Sequence, residues 1–422
     1  MKRPLTLALL VGTAALGVRL ACTARAGGAG PTSPAATLRT DGTVVTTGLR
    51  LTGRDVTLPA RCAEAASGAP RVVCAANAFL ATLSAEQRAR AVLPATQENA
   101  TRWSNLPVAL VPRGGVALGD LNGTQLAAAL AVVRAATGSA ANEGYDEVLQ
   151  LRLADDVLNV SGNTAGVGGG GPPPAGPAGA TGTPPAGPPP GGAPGGTPPA
   201  GGLTGNDYGS GLYALAFLGA PGTPGTWQLQ FGGHHLAVNT TYRAGQVVGA
   251  TPRFTGVEPR VWTAGGATYA PLRSEHDGMA ALLGGLSTSQ LAAARLSQTF
   301  SDVLLGPGRD GQFPAAKAGV RVGTLGAAQK ARVLAAIRPW VQDADDATAA
   351  RLLAVYGREL DDTYVAYSGN AALTNNADYV RIDGPSVWIE FVCQNGVVYR
   401  SQLHFHTVWR DHTRDYGGEY SF

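Results

Sequence analysis

Val387-Trp388-Ile389-Glu390-Phe391-Val392-Cys393-Gln394-Asn395-Gly396-Val397-Val398-Tyr399-Arg400-Ser401-Gln402-Leu403-His404-Phe405-His406-Thr407-Val408-Trp409-Arg410 is the stretch whose reading decides the fold. Val387 to Cys393 and Val397 to Arg410 are rich in β-branched and aromatic residues, as strands are. Between them stands Asn-Gly, the strongest short hairpin signal. A two-residue Asn395-Gly396 turn would pair Glu390 with Ser401, on the Leu403/Phe405 side of the ribbon. Spacing of two on a strand puts His404 and His406 together on the other side.

Further strand candidates stand upstream at Leu212 to Leu218, Trp227 to Phe231, His235 to Tyr242, Gln246 to Phe254, Tyr364 to Tyr367 and Tyr379 to Ile382. Thr43 to Thr46 and Val72-Val73 read as short strands within a strand-and-loop region over 27–74. Helices are expected from the Ser84/Gln87 capping box, from Thr124 through Ala136, and over Tyr145 to Leu158. More are expected at Glu275 to Leu283, at Ser287 to Phe300 with a Ser287/Gln290 capping box, and from Gly326 to Tyr356 with a break near Asp343. Strands mixed with runs of helices, without strict alternation, predict an α+β fold with a mostly antiparallel sheet in a single large domain.

Composition divides the chain. Lys2 and Arg3 precede the apolar run Leu5 to Val18, and Ala24-Arg25-Ala26 offers a cleavage site, so residues 1–26 read as a secretory signal peptide. Cys22 would serve a lipoprotein signal, but Arg19 stands where that signal takes an aliphatic residue. Cleavage would remove Lys2, Arg3, Arg19 and Arg25, four of 32 basic residues, leaving 28 against 29 acidic ones. That balance gives no basic footprint for nucleic acid. No other segment is long and apolar enough to span a bilayer. A secreted, periplasmic or cell-envelope location is therefore expected. Cys62 and Cys74 are close enough to form a staple in an oxidising compartment, while Cys393 sits among apolar neighbours as a buried thiol. Residues 166–202 are almost entirely Gly, Pro, Ala and Thr, with a triplet glycine period that Pro185 breaks. They read as a disordered insertion, a spacer or a loop expansion, between an N-terminal part (27–165) and a C-terminal β-rich part (203–422).

All six histidines, His234, His235, His276, His404, His406 and His412, lie beyond residue 233. Two imidazoles on one strand face can chelate zinc, copper or iron, or line a polar groove without any ion. A third ligand would come from Gly232-Gly233-His234-His235. At most one of His234 and His235 can join unless the turn twists them, because adjacent strand residues face opposite ways. Glu275, His276 and Glu390 are reserves, and the two-residue turn sets Glu390 on the wrong face. Arg410 and Asp411, in a run dense in charge, would orient substrate or support the ligands, or form ion pairs at a strand end. The chain carries no Gly-x-Ser-x-Gly elbow, P-loop or His-Glu-x-x-His.

Several motifs together resemble the family called domain of unknown function 3500. They are Trp103-Ser104-Asn105-Leu106-Pro107, Gly144-Tyr145, Trp227 to Leu236 with its Gly-Gly-His-His, Glu258-Pro259, Leu272 with Glu275, Trp388-Ile389-Glu390, and His404 to Asp411. The resemblance covers roughly Phe79 to Gly417 without the Gly/Pro-rich segment. It implies one domain, often exported, and one site built from both histidine motifs. It supplies no reaction. The expectation is a secreted metal-dependent enzyme, hydrolase or oxidoreductase. The alternatives are a non-catalytic protein binding a metal, small molecule or carbohydrate, and a cell-envelope interaction module.

Overall fold

Strand Arg253–Val257 is the joint of the molecule. On one edge it pairs with strand Leu403–Asp411, and on the other with strand Leu236–Arg243, antiparallel in both cases. It thereby merges the hairpin Thr226–Gly233/Leu236–Arg243 with the hairpin Val387–Asn395/Leu403–Asp411. The computed structural model describes residues 33–65, 68–164 and 203–422. The expected signal peptide and the Gly/Pro-rich segment lie outside these residues.

The twelve-stranded sheet continues outward from the two hairpins. Tyr379–Asp383, Tyr364–Ser368 and Val320–Arg321 extend it on one side, and Ala214–Leu218 and Val92–Leu93 on the other. Its pairings are antiparallel except for Val92–Leu93 against Ala214–Leu218. A small sheet joins Ala35–Leu38 and Val44–Thr47 to Trp262–Ala264 and Ala267–Tyr269. The described residues form a single α+β domain with mostly antiparallel sheets, as the strand and helix signals predict.

Period-two alternation assigns the two faces of the large sheet. Ile389, Phe391, Phe405 and Trp409 enter the larger core with helices Ala69–Leu80, Gly123–Ala136, Gly144–Thr164, Arg273–Gly284, Ala327–Gln342 and Asp346–Arg358. Val392, Val408, Phe254 and Tyr379 face the other way, into a smaller core with Trp103, Phe300, Val303 and Tyr416. His404 and His406 lie on this second face, on the side of Val392 and Val408.

Several local expectations change. Val72-Val73 is not a strand but part of helix Ala69–Leu80, where Ala69, Val72, Ala76, Phe79 and Leu80 are buried at helical spacing. Cys74 on that helix is bonded to Cys62 on the short helix Ala60–Ala63, so the staple joins two helical segments. Cys393 is free and buried. Asn122, not Thr124, caps helix Gly123–Ala136 and forms a capping box with Gln125. Ser84 with Gln87 and Ser287 with Gln290 form the expected boxes. Gln246 to Phe254 is two strands, Gln246–Gly249 and Arg253–Val257; Pro252 between them has no N–H for a ladder. The break near Asp343 separates Ala327–Gln342 from Asp346–Arg358.

The hairpin register also differs. Asn395 pairs with Leu403, Glu390 with Val408 and Val392 with His406. The connection is the longer loop 396–402, because Glu258 accepts the backbone N–H groups of Val398 and Tyr399 at 2.8 and 2.7 Å. A buried carboxylate thereby outweighs the local Asn-Gly preference. The shift places Glu390 on the histidine face, correcting the two-residue reading.

Candidate metal centre

His404 and His406 project from one face of strand Leu403–Asp411, as the alternation requires. His406 pairs with Gly256 across the sheet, and the N–H of Gly256 donates to the carbonyl of His235 at 2.7 Å. The joining strand therefore brings the Gly-His-His turn against the His-x-His pair. His235 itself has φ 61°, a left-handed conformation uncommon for a residue with a Cβ. Its backbone N–H is held by the carbonyl of Asn105 at 3.1 Å. Arg113 donates to the carbonyls of Gly233 and Ser104, tying the 103–114 segment to the same turn.

The ring centroid of His235 lies 5.2 Å from that of His404 and 5.1 Å from that of His406. His235, His404 and His406 each offer one nitrogen within 4.8 Å of the others. His234 stacks behind His235 with centroids 3.6 Å apart and turns its Nδ1 to Asp155 Oδ1 at 2.7 Å. One of the adjacent pair thus faces the other histidines while its neighbour braces it.

Hydrogen bonding sets the tautomers. His404 Nδ1 lies 3.1 Å from the Asn395 carbonyl, which can only accept. His406 Nδ1 lies 2.9 Å from Asp302 Oδ1. Both Nδ1 atoms therefore carry hydrogen, and the two Nε2 atoms face each other at 2.9 Å, close enough to share one proton or one metal ion. Burial, then the neighbouring His406 ring, pushes His404 down to about 3. Burial, then His234, lowers His235 well below the ordinary imidazole range. His235 and His404 are thereby held neutral, the form in which histidines bind metal. Gly256 makes the room: a Cβ there would stand 2.8 Å from His406 Cδ2 and 3.0 Å from His235 Cδ2.

The remaining candidates lie elsewhere. Arg410 is fully buried, and its guanidinium is committed to the Leu305 and Gly306 carbonyls and to Asp310 and Asp415. Asp411 faces the opposite side of the strand and accepts from Tyr356, Thr413 and Arg414. Neither touches the histidines, so their expected role beside substrate has no support in these contacts. Glu390, although on the histidine face, accepts from Leu304 N, Leu305 N, Tyr379 and Trp388. His276 stacks on Phe405 on the far face and bonds the Leu373 carbonyl. His412 bonds Asp383. Glu275 belongs to a separate acidic cluster.

Sequence reasoning missed Asp302, Asp155 and Gly256. Asp302 carries no local signal, since it comes from a loop 104 positions away from His406. Gly256 was findable: a lone glycine inside a strand marks close approach by another group.

A family model described as a protein of unknown function (DUF3500) matches residues 65–418. That span contains every residue of the histidine centre. Neither a curated protein nor a solved structure gives a significant match to the chain.

Proposed function

The chain belongs to the DUF3500 family, and from that premise we propose that it is an exported metal-dependent enzyme centred on His235, His404 and His406. The observation that carries this reading is the approach of the two Nε2 atoms to 2.9 Å while both Nδ1 atoms donate elsewhere. Two ring nitrogens that close must share a cation, a proton in the metal-free centre or a metal ion in its place. An imidazole whose outer N–H binds a carboxylate, as His406 does with Asp302, is the usual metal-ligand arrangement.

Three imidazoles, with water completing the shell, would suit zinc in hydrolytic chemistry, whereas non-haem iron oxygenases use two histidines and a carboxylate. Hydrolysis is therefore favoured over oxidation. When bound, such an ion supplies Lewis acidity and lowers the pKa of water. The protein's own part is to keep His235 and His404 neutral by burial, to hold His406 through Asp302, and to brace His235 with His234. The Asp302 side chain is 46% exposed and marks the solvent side of the centre. The disulfide fits an oxidising compartment, in keeping with export. No helix among the described residues is long and apolar enough to cross a membrane.

Close burial of all four rings, at 3 to 7% exposure, favours a second reading, a metal-binding protein without catalysis. Cobalt substitution separates the two. A visible spectrum that shifts on adding azide reports an exchangeable position and supports the enzyme. A tetrahedral spectrum indifferent to azide supports closed binding. Absence of any cobalt or zinc binding refutes both.

A further inference from the structure

The helix-covered face of the sheet carries a second cluster, unrelated to the histidines. Glu143 and Glu147 open helix Gly144–Thr164, Glu275 stands in the first turn of Arg273–Gly284, and Asp343 ends Ala327–Gln342. Their exposures are 4, 0, 1 and 1%. Arg253, 3% exposed, reaches them from the joining strand, with Nη2 3.3 Å from Glu147 and Nε 2.8 Å from Asp343. Four carboxylates against one guanidinium leave three uncompensated negative charges if all ionise. Buried charge of that kind is tolerated only when paired or bound to a metal.

The hydrogen-bond ledger shows where the deficit lies. Asp343 is satisfied by Arg253 and by the N–H of Gly144 at 2.8 Å. Glu143 Oε2, Glu147 Oε1 and both oxygens of Glu275 receive no donor. Glu275 is the telling residue, because its whole carboxyl is buried without a donor and its charged neighbours are Glu143, Glu147 and Asp343. One oxygen from each of Glu143, Glu147 and Asp343 lies within 4.8 Å of the others. Ligands about 2.3–2.6 Å from a common calcium ion are separated by up to roughly that distance.

We propose that Glu143, Glu147 and Asp343, with the charge of Glu275 beside them, form a structural site for a hard divalent cation, best suited to calcium. An all-oxygen donor set disfavours zinc and copper. Magnesium keeps several of its waters, which a cluster this deeply buried does not accommodate. A single divalent ion cancels two charges and engages oxygens of Glu143, Glu147 and Asp343 together, whereas a single proton satisfies only one pair. The bound ion would pin three helices to the strand whose other face carries Gly256 beneath the histidines.

The test uses the full-length protein stripped with a chelator, to which calcium chloride or magnesium chloride is added. Equilibrium dialysis should give one bound calcium per chain, with a thermal midpoint raised by several degrees and a smaller response to magnesium. Glu275→Gln should weaken calcium binding about tenfold or more, by loss of a buried negative charge beside the ion. Glu143→Gln serves the same purpose if Glu275→Gln does not fold. Absence of calcium binding at millimolar concentration, or equal binding by the parent and either folded variant, would overturn the site and leave protons as the neutralising species. Neither outcome bears on the histidine centre, whose nitrogen donors do not hold calcium.

Discussion

His404 Nε2 and His406 Nε2 face each other at 2.9 Å, although they belong to alternate residues of one strand. The contact is imposed from outside the strand. The Asn395 carbonyl turns one ring and the Asp302 carboxylate turns the other.

Removing both rings should remove the metal. His404→Ala with His406→Ala is expected to abolish the single zinc or cobalt equivalent measured by elemental analysis after dialysis. Phe405 and Trp409 keep the opposite face packed in the larger core, so the circular dichroism spectrum should persist. A folded double variant that retains its metal would return the pair to a groove-lining role.

Asp302→Ala should leave the ligands in place but free the His406 ring to rotate. Loss of such an outer partner weakens metal binding about 10- to 100-fold. Competition with a chromogenic chelator measures this, and unchanged affinity would count against the tautomer assignment.

Gly256→Ala probes the space beneath the rings. Its Cβ would meet His406 Cδ2 at 2.8 Å and His235 Cδ2 at 3.0 Å, so the imidazoles must move. Overpacking of this kind costs about 1–3 kcal/mol. Metal affinity should fall in the folded variant, as read by the same competition. A variant that binds metal as tightly as the parent would show that the rings have slack.

The pH dependence has a definite sign. His404 is pushed down to about 3 and His235 well below its ordinary value, first by burial in both cases. The unfolded chain takes up these protons near pH 6.5, while the folded chain resists them to much lower pH. Their contribution to stability is therefore complete above about pH 6.5 and is lost as pH falls toward the folded value. The buried glutamates run the other way, because raised carboxyls favour the folded state at low pH. The readout is thus a difference: between pH 7.5 and 5, metal-free parent should lose more urea resistance than His404→Gln. Equal losses would contradict the assignment.

Arg410→Ala tests a purely structural role. Truncation leaves Asp310 and Asp415 without their shared cation and empties the space over the Trp103 ring, 5.3 Å away. Breaking a buried pair typically costs about 3–5 kcal/mol. The thermal midpoint should drop sharply while the folded fraction keeps its metal stoichiometry. Loss of metal from a fully folded Arg410→Ala protein would bring Arg410 back into the site.

Much of this protein was legible from local pattern. Alternation in His404 to Trp409 set both histidines on one face, and the Ser84/Gln87 and Ser287/Gln290 boxes marked helix starts, because such signals act within a few residues. The family motifs linked the Gly-His-His turn to the His-x-His strand. What sequence could not decide was every choice made by a distant group. Glu258 lengthened the hairpin loop and reversed the face of Glu390, and Asp302 and Asn395 selected the tautomers. Strand Arg253–Val257, pairing with both hairpins, chose His235 over His234 by setting Gly256 against it. These contacts span tens to hundreds of residues, and only the folded chain brings their energies to bear.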